Sequence, residues 1–80
     1  MYIHTLHFRN GTELSWAFER LVACEHVEDC LVEPEELRIR FVAPRDATAP
    51  LIEKFYLRGG LTWSTRVRFP TKELSTVAAT

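Results

Sequence analysis

Leu37-Arg38-Ile39-Arg40-Phe41 and Thr65-Arg66-Val67-Arg68-Phe69 carry one pattern at two places in the chain. In a strand, successive side chains point to opposite faces. Each stretch therefore predicts a strand with one buried face, Leu37, Ile39 and Phe41 in the first and Thr65, Val67 and Phe69 in the second. Two arginines stand on the other face of each. With both strands in one sheet, Arg38, Arg40, Arg66 and Arg68 present a block of guanidinium groups above a hydrophobic core.

Upstream of the first stretch, Val27 to Glu33 reads as a strand and Pro34-Glu35 as a two-residue turn into a strand from Glu36 to Val42. That turn pairs Glu33 with Glu36, Val32 with Leu37, Cys30 with Ile39 and Asp29 with Arg40. The register places Cys30, Val32, Leu37 and Ile39 on one face and Asp29, Leu31, Arg38 and Arg40 on the other, a consistent hairpin. Tyr2 to Arg9 alternates, with Leu6 and Phe8 on one side and Thr5, His7 and Arg9 on the other. Asn10 caps a following helix, and Glu13 completes a capping-box arrangement. Leu14, Ala17, Phe18, Leu21 and Cys24 recur at helical spacing.

Downstream, Ala43-Pro44 ends the strand, and Asp46 or Thr48 caps a second helix with Pro50 in its first turn. Leu51, Ile52 and Phe55 supply its buried face, and Gly59-Gly60 end it. Leu61 to Phe69 is the last strand, with Leu61, Trp63 and Val67 on the core side, and Pro70 stops it. Residues 1–70 form one domain, and residues 71–80 read as a flexible tail with one helical turn at Lys72 to Leu74.

The order strand, helix, strand, strand, helix, strand predicts an α+β chain of the ferredoxin-like βαββαβ class. Its four-stranded antiparallel sheet carries both helices on one face. The open face would hold Thr5, His7, Arg9, Asp29, Leu31, Arg38, Arg40, Val42, Thr62, Ser64, Arg66 and Arg68.

Eighty residues make one domain with a thin stability margin. Ten basic and eleven acidic side chains give a net charge of −1, which argues against bulk attraction to nucleic acid but not against a local basic patch. The N-terminus runs straight into an alternating pattern and predicts no secretory leader. No apolar run approaches the ~20 residues that span a bilayer. Cys24 and Cys30 then read as free thiols of a cytoplasmic protein.

From Leu21 to Gly60 the chain resembles a heavy-metal-associated domain. His26-Val27-Glu28-Asp29 stands at that family's entry to the second strand, Leu37 to Phe41 at its third strand, and Leu51 to Gly60 at its second helix running into glycine. The resemblance implies the same layout over residues 1–70. The family's metal loop, with two cysteines between first strand and first helix, is replaced by Asn10-Gly11-Thr12-Glu13, which offers no thiolate. Metal transfer is therefore not implied. Ligand-sensing ACT-type domains share the layout.

Arg9, His7, Arg38, Arg40, Arg66 and Arg68 are the candidate binding residues. They would dock carboxylates, phosphates or a nucleic-acid backbone, against the plain alternative of cross-strand ion pairs such as Asp29 with Arg40 and Glu33 near Arg38. RNA readers of this fold place aromatics on the central strands, where this chain has Thr5, His7, Arg38 and Arg40. Trp16 lies off the helical stripe and marks either a contact surface or packing over the sheet edge. His4 reads as a core-edge histidine. Cys24, His26 and Cys30, with His4 or His7, make a zinc set on paper, but the spacing matches no common motif and Cys30 points inward. No metal or other cofactor is assigned.

No Ser-His-Asp set, Walker loop or dinucleotide fingerprint is present. Acylphosphatases share the layout and use a loop arginine with an asparagine. Phe8-Arg9 is similar to the end of their loop, yet no glycine-rich cradle precedes it and Asn10 is needed as a cap. The expectation is a non-enzymatic binding or regulatory module, paired with a second copy or a protein partner. Nucleic-acid or anion binding through the same face is the alternative, an acylphosphatase-like enzyme a distant third, and no membrane is involved.

Overall fold

The computed structural model describes residues 1–68. Phe69, the predicted tail and the end of the predicted domain lie outside the described residues.

Alternating apolar residues form β1 (Tyr2–Phe8), with His4, Leu6 and Phe8 buried on one face. Asn10 then caps α1 (Gly11–Val22): its side-chain oxygen accepts the Glu13 backbone N–H at 2.9 Å. The capping box is half made, because the Glu13 carboxylate takes the Arg58 Nε at 2.6 Å instead. Arg58 belongs to the last turn of α2 (Ala49–Arg58), so a local capping signal is overridden by a tertiary ion pair. Leu14, Ala17 and Leu21 are the buried stripe of α1, with Phe18 packed beside them.

The hairpin of β2 (Glu28–Glu33) and β3 (Arg38–Ala43) keeps the expected faces but changes its register. Glu33 pairs with Arg38, Val32 with Ile39 and Leu31 with Arg40. The connection is a 3-10 turn, Pro34–Glu36, followed by Leu37 in the left-handed region at φ 53°. It spans four residues rather than two, and pairing shifts by two positions. A shift of two preserves which side each residue faces, so Val32 and Ile39 still meet inside. Upstream, the register slips by one between Glu28 and Leu31, where Asp29 has φ 50°. The two-position shift sets Leu31 opposite Arg40 in place of the expected Asp29, and the β-bulge then brings Glu28 opposite Val42.

Thr48 stands at the cap of α2 (Ala49–Arg58), with proline in the first turn. Its side chain makes no capping bond, and its hydroxyl is buried without a partner among the described residues. Gly59 closes the helix at φ 87°, a conformation glycine adopts without Cβ strain. The chain returns as β4 (Leu61–Arg68).

The sheet order is β2-β3-β1-β4, antiparallel throughout, with β1 and β3 central. Leu6, Phe8, Ile39, Phe41, Ala43 and Leu61 meet Leu14, Ala17, Leu21 and Phe55 in one core. This is the ferredoxin-like α+β arrangement expected from the element order.

Candidate functional site: the open face of the sheet

Strand pairing fixes which side chains share the face away from the core, because directly opposed residues point the same way. Glu33, Arg38, His7 and Trp63 form one row across β2, β3, β1 and β4. Leu31, Arg40, Thr5 and Thr65 form the second. Glu28, Val42, Ile3 and Val67 form the third.

Two of the expected arginines are missing from this grid. Arg66 is opposite the buried His4, and Arg68 is opposite Tyr2. Both therefore emerge on the helical side. The Arg66 guanidinium lies 5.7 Å from the Tyr2 ring and lines a groove with Arg45 and the α2 residues Ile52, Tyr56 and Leu57. The cause is a slip between His7 and Phe8: Phe8 pairs with Leu61, but His7 pairs with Trp63. Thr62 is the extra residue, and its hydroxyl donates to the His7 carbonyl at 3.0 Å. Leu61 stays in the core, and every later residue of β4 faces opposite to simple alternation from Leu61. Trp63 and Val67 leave the core side, and Ser64 joins the helical side, 3.3 Å from the Tyr56 hydroxyl. The four-arginine block does not exist.

What replaces it is more apolar. Leu31, Trp63 and Val67 are 54%, 50% and 61% exposed; half-buried Ile3 and Val42 complete the row of Val67, and Trp63 stands two rows away across Thr5 and Thr65. Trp63 stacks on His7, ring centroids 3.9 Å apart and planes 9° from parallel. Neighbouring strands are about 4.8 Å apart, so rings this close stand upright on the sheet, and the second face of Trp63 looks outward past β4. His7 has its pKa lowered by burial and by the nearby Arg38.

Arg38 and Arg40 remain on the face, but Glu33 holds both. Its carboxylate accepts Arg38 Nε at 2.6 Å and Arg40 Nη2 at 3.1 and 3.2 Å. The Arg38 bond, then that of Arg40, brings the Glu33 pKa down to about 2. Two guanidinium groups share one carboxylate, and Glu28 in the third row brings the three rows to a formal charge of zero. Arg9 is exposed just beyond β1, its backbone N–H bound to the Gly60 carbonyl at 2.8 Å.

Trp16 is away from this face. Its ring meets Phe55 edge-on at 5.7 Å, with Arg20 and Arg58 guanidinium carbons each 4.1 Å from its centroid. It ties α1 to α2, and its surroundings fit packing rather than docking. His4 is fully buried, stacked on Phe41 at 4.8 Å and 3.3 Å from the Ala43 carbonyl. Burial lowers its pKa, with a smaller push from Arg66. Cys24 and Cys30 are free thiols, and burial raises the Cys30 pKa. Among the described residues, no three His, Cys, Asp or Glu side chains come together as metal ligands, and no helix is long and apolar enough to cross a membrane.

Sequence reasoning missed the aromatic pair of His7 and Trp63. The signal was faint: Gly60-Leu61-Thr62 follows a helix cap, where glycine and threonine favour an irregular strand start. No family model, curated protein or solved structure matches the chain. What stands of the heavy-metal-associated resemblance is the βαββαβ layout.

Proposed function

We propose that the protein is a small non-enzymatic binding module of the cytoplasm whose open sheet face docks another protein. The observation that carries the reading is the apolar row of Val42, Ile3 and Val67 with Leu31 at its corner, facing the exposed Trp63 across the Thr5–Thr65 row, with no described helix over it. Contiguous exposed apolar surface rimmed by polar groups marks interaction sites. Interface centres are depleted in charge and enriched in aromatic residues and arginine. Arg40, half exposed and already aligned by Glu33, is suited to meet a carboxylate at the partner's rim. The free thiols agree with a reducing compartment, and the Asn10 side chain is engaged as a helix cap rather than free to orient water.

Site-specific photo-crosslinking in cells that produce the protein tests this. A photoreactive residue at Thr5 or Thr65, on the face, is expected to give one adduct of defined mass. The same residue at Lys54, on α2, is expected to give none. Val67→Asp should abolish the adduct while circular dichroism stays unchanged. Equal crosslinking from all three positions, or an adduct that survives Val67→Asp, overturns the assignment.

A second reading is favoured by one observation. Trp63 on the open face, stacked on His7 and in the row of Arg38, is a stacking surface of the kind used on single-stranded nucleic acid. It requires affinity for a labelled single-stranded oligonucleotide that falls steeply with salt and disappears with Trp63→Ala. An apolar protein contact barely responds to salt.

A further inference from the structure

We propose that β4 is a pairing edge, and that its partner is β4 of a second copy of this chain, antiparallel and centred on Thr65. The two edges of the sheet are built differently. β2 is six residues long, carries the Asp29 bulge and is lined by Glu28, Asp29 and Glu33. Bulges and inserted charge are devices that protect an edge; on β4 the bulge is confined to Thr62 at the start of the strand, and Arg66 and Arg68 stand on its helical side. β4 is eight residues long, runs without a register break from Trp63 to Arg68 and contains no proline. Among the described residues, no strand lies on its outer side.

The sequence of β4 is self-complementary in one register. With Thr65 opposite Thr65 of the second copy, Trp63 of each chain faces Val67 of the other. Thr–Thr and aromatic–β-branched pairs are the favourable cross-strand combinations. The outward face of each upright Trp63 ring is then covered by valine methyls. On the helical side, Arg66 faces Ser64, so the two Arg66 side chains are diagonal neighbours rather than directly opposed, and Arg68 lies at the end of the seam opposite the bulged Thr62. Centring the pair on Arg66 instead sets two guanidinium groups against each other, which is unfavourable.

The wall of the seam fits the same arrangement. The groove beside β4, about 320 Å³, is lined by Glu53, Tyr56 and Leu57 with Arg66. Leu57 is 80% exposed, and Glu53 supplies a carboxylate where the cationic side chains of β4 from both copies gather. A symmetric pair consumes both β4 edges and leaves only the bulged β2 edges, so assembly closes at two copies. It also joins the two open faces into one eight-stranded surface, without depending on what that face binds. Edge pairing alone buries less than a standard interface, so the association should be concentration-dependent.

Sedimentation velocity on the 80-residue chain, from micromolar to millimolar, should show mass rising from 9.3 kDa toward twice that value. Thr65→Asp and Thr65→Lys each place like charges across the two-fold axis. Each should move the association midpoint at least about fivefold upward in concentration. An equimolar mixture of the two should restore or exceed wild-type pairing, with circular dichroism confirming that both fold. A mixed-label sample gives a second readout, intermolecular Trp63–Val67 contacts by nuclear Overhauser effects in the wild-type chain. A chain that stays monomeric, variants that associate like wild type, a mixture that does not recover, or absent Trp63–Val67 contacts would each overturn the proposal.

Discussion

Thr48 and His4 are buried polar side chains in a core otherwise built from hydrocarbon, and they are satisfied to different degrees. The Thr48 hydroxyl finds no partner among the described residues. A buried, unpaired hydroxyl costs free energy, and replacing it with a methyl of the same shape removes that cost. Thr48→Val is therefore expected to stabilise the protein by about 1 kcal/mol, read from the urea unfolding midpoint. His4 reaches the Ala43 carbonyl and stacks on Phe41, yet burial still disfavours its charged form. The folded chain holds that proton less tightly than the unfolded chain does. Its contribution to stability is complete above pH 6.5 and declines as pH falls below that value. Glu33 acts in the same direction lower down, complete above pH 4.5 and lost as pH approaches about 2. Urea midpoints at pH 7, 5 and 3 should fall in sequence. His4→Phe should reduce the upper step, to which His7, its pKa also lowered, contributes as well, and Glu33→Gln should reduce the lower one.

Elements start and stop where local chemistry requires. Asn10 supplies an acceptor to the first turn of α1, and Asn10→Ala should cost about 1 kcal/mol in urea denaturation. The strand phase of β4 is set by one residue. Deleting Thr62 leaves Leu61 opposite Phe8 and brings Trp63 directly opposite His7 in unbroken alternation. The deletion variant should fold, keep Trp63 outside the core and retain the His7–Trp63 contact in a nuclear Overhauser spectrum. A Trp63 that moves inward would show that something other than the bulge sets the phase. The hairpin taught a related lesson. Pro34 and Glu35 are legible as turn residues, but the turn extends through Leu37, whose left-handed backbone no glycine or asparagine announces. The faces survived because the shift was even.

Across the molecule, stability rests on one small core shared by a sheet and two helices. Phe41 is 1% exposed at the centre of β3, against His4 and the core side chains. Phe41→Ala should cost about 3–5 kcal/mol, most of what an 80-residue domain has available. Circular dichroism should show a chain largely unfolded at 37 °C. The site follows from the same architecture. Both helices on one side leave the opposite face of β1 and β3 bare, and the edge strands Leu31 and Trp63–Val67 complete it.

The element order, the buried faces of β1, α1 and β3, and the glycine stop of α2 were readable in the chain, whereas α1 ends at Val22, short of Cys24, the last residue of the expected stripe. Each depends on periodicity and capping within about ten residues, where side-chain direction follows directly from backbone geometry. Arg38, Arg40 and His7 were placed correctly on that basis. Arg66, Arg68 and Trp63 were not, because their side depends on pairing with a strand more than fifty positions away, and Thr62 adds one residue to that pairing. Only assembly of β4 onto β1 could decide it, since an inserted residue reverses every side chain beyond it while leaving the local pattern untouched.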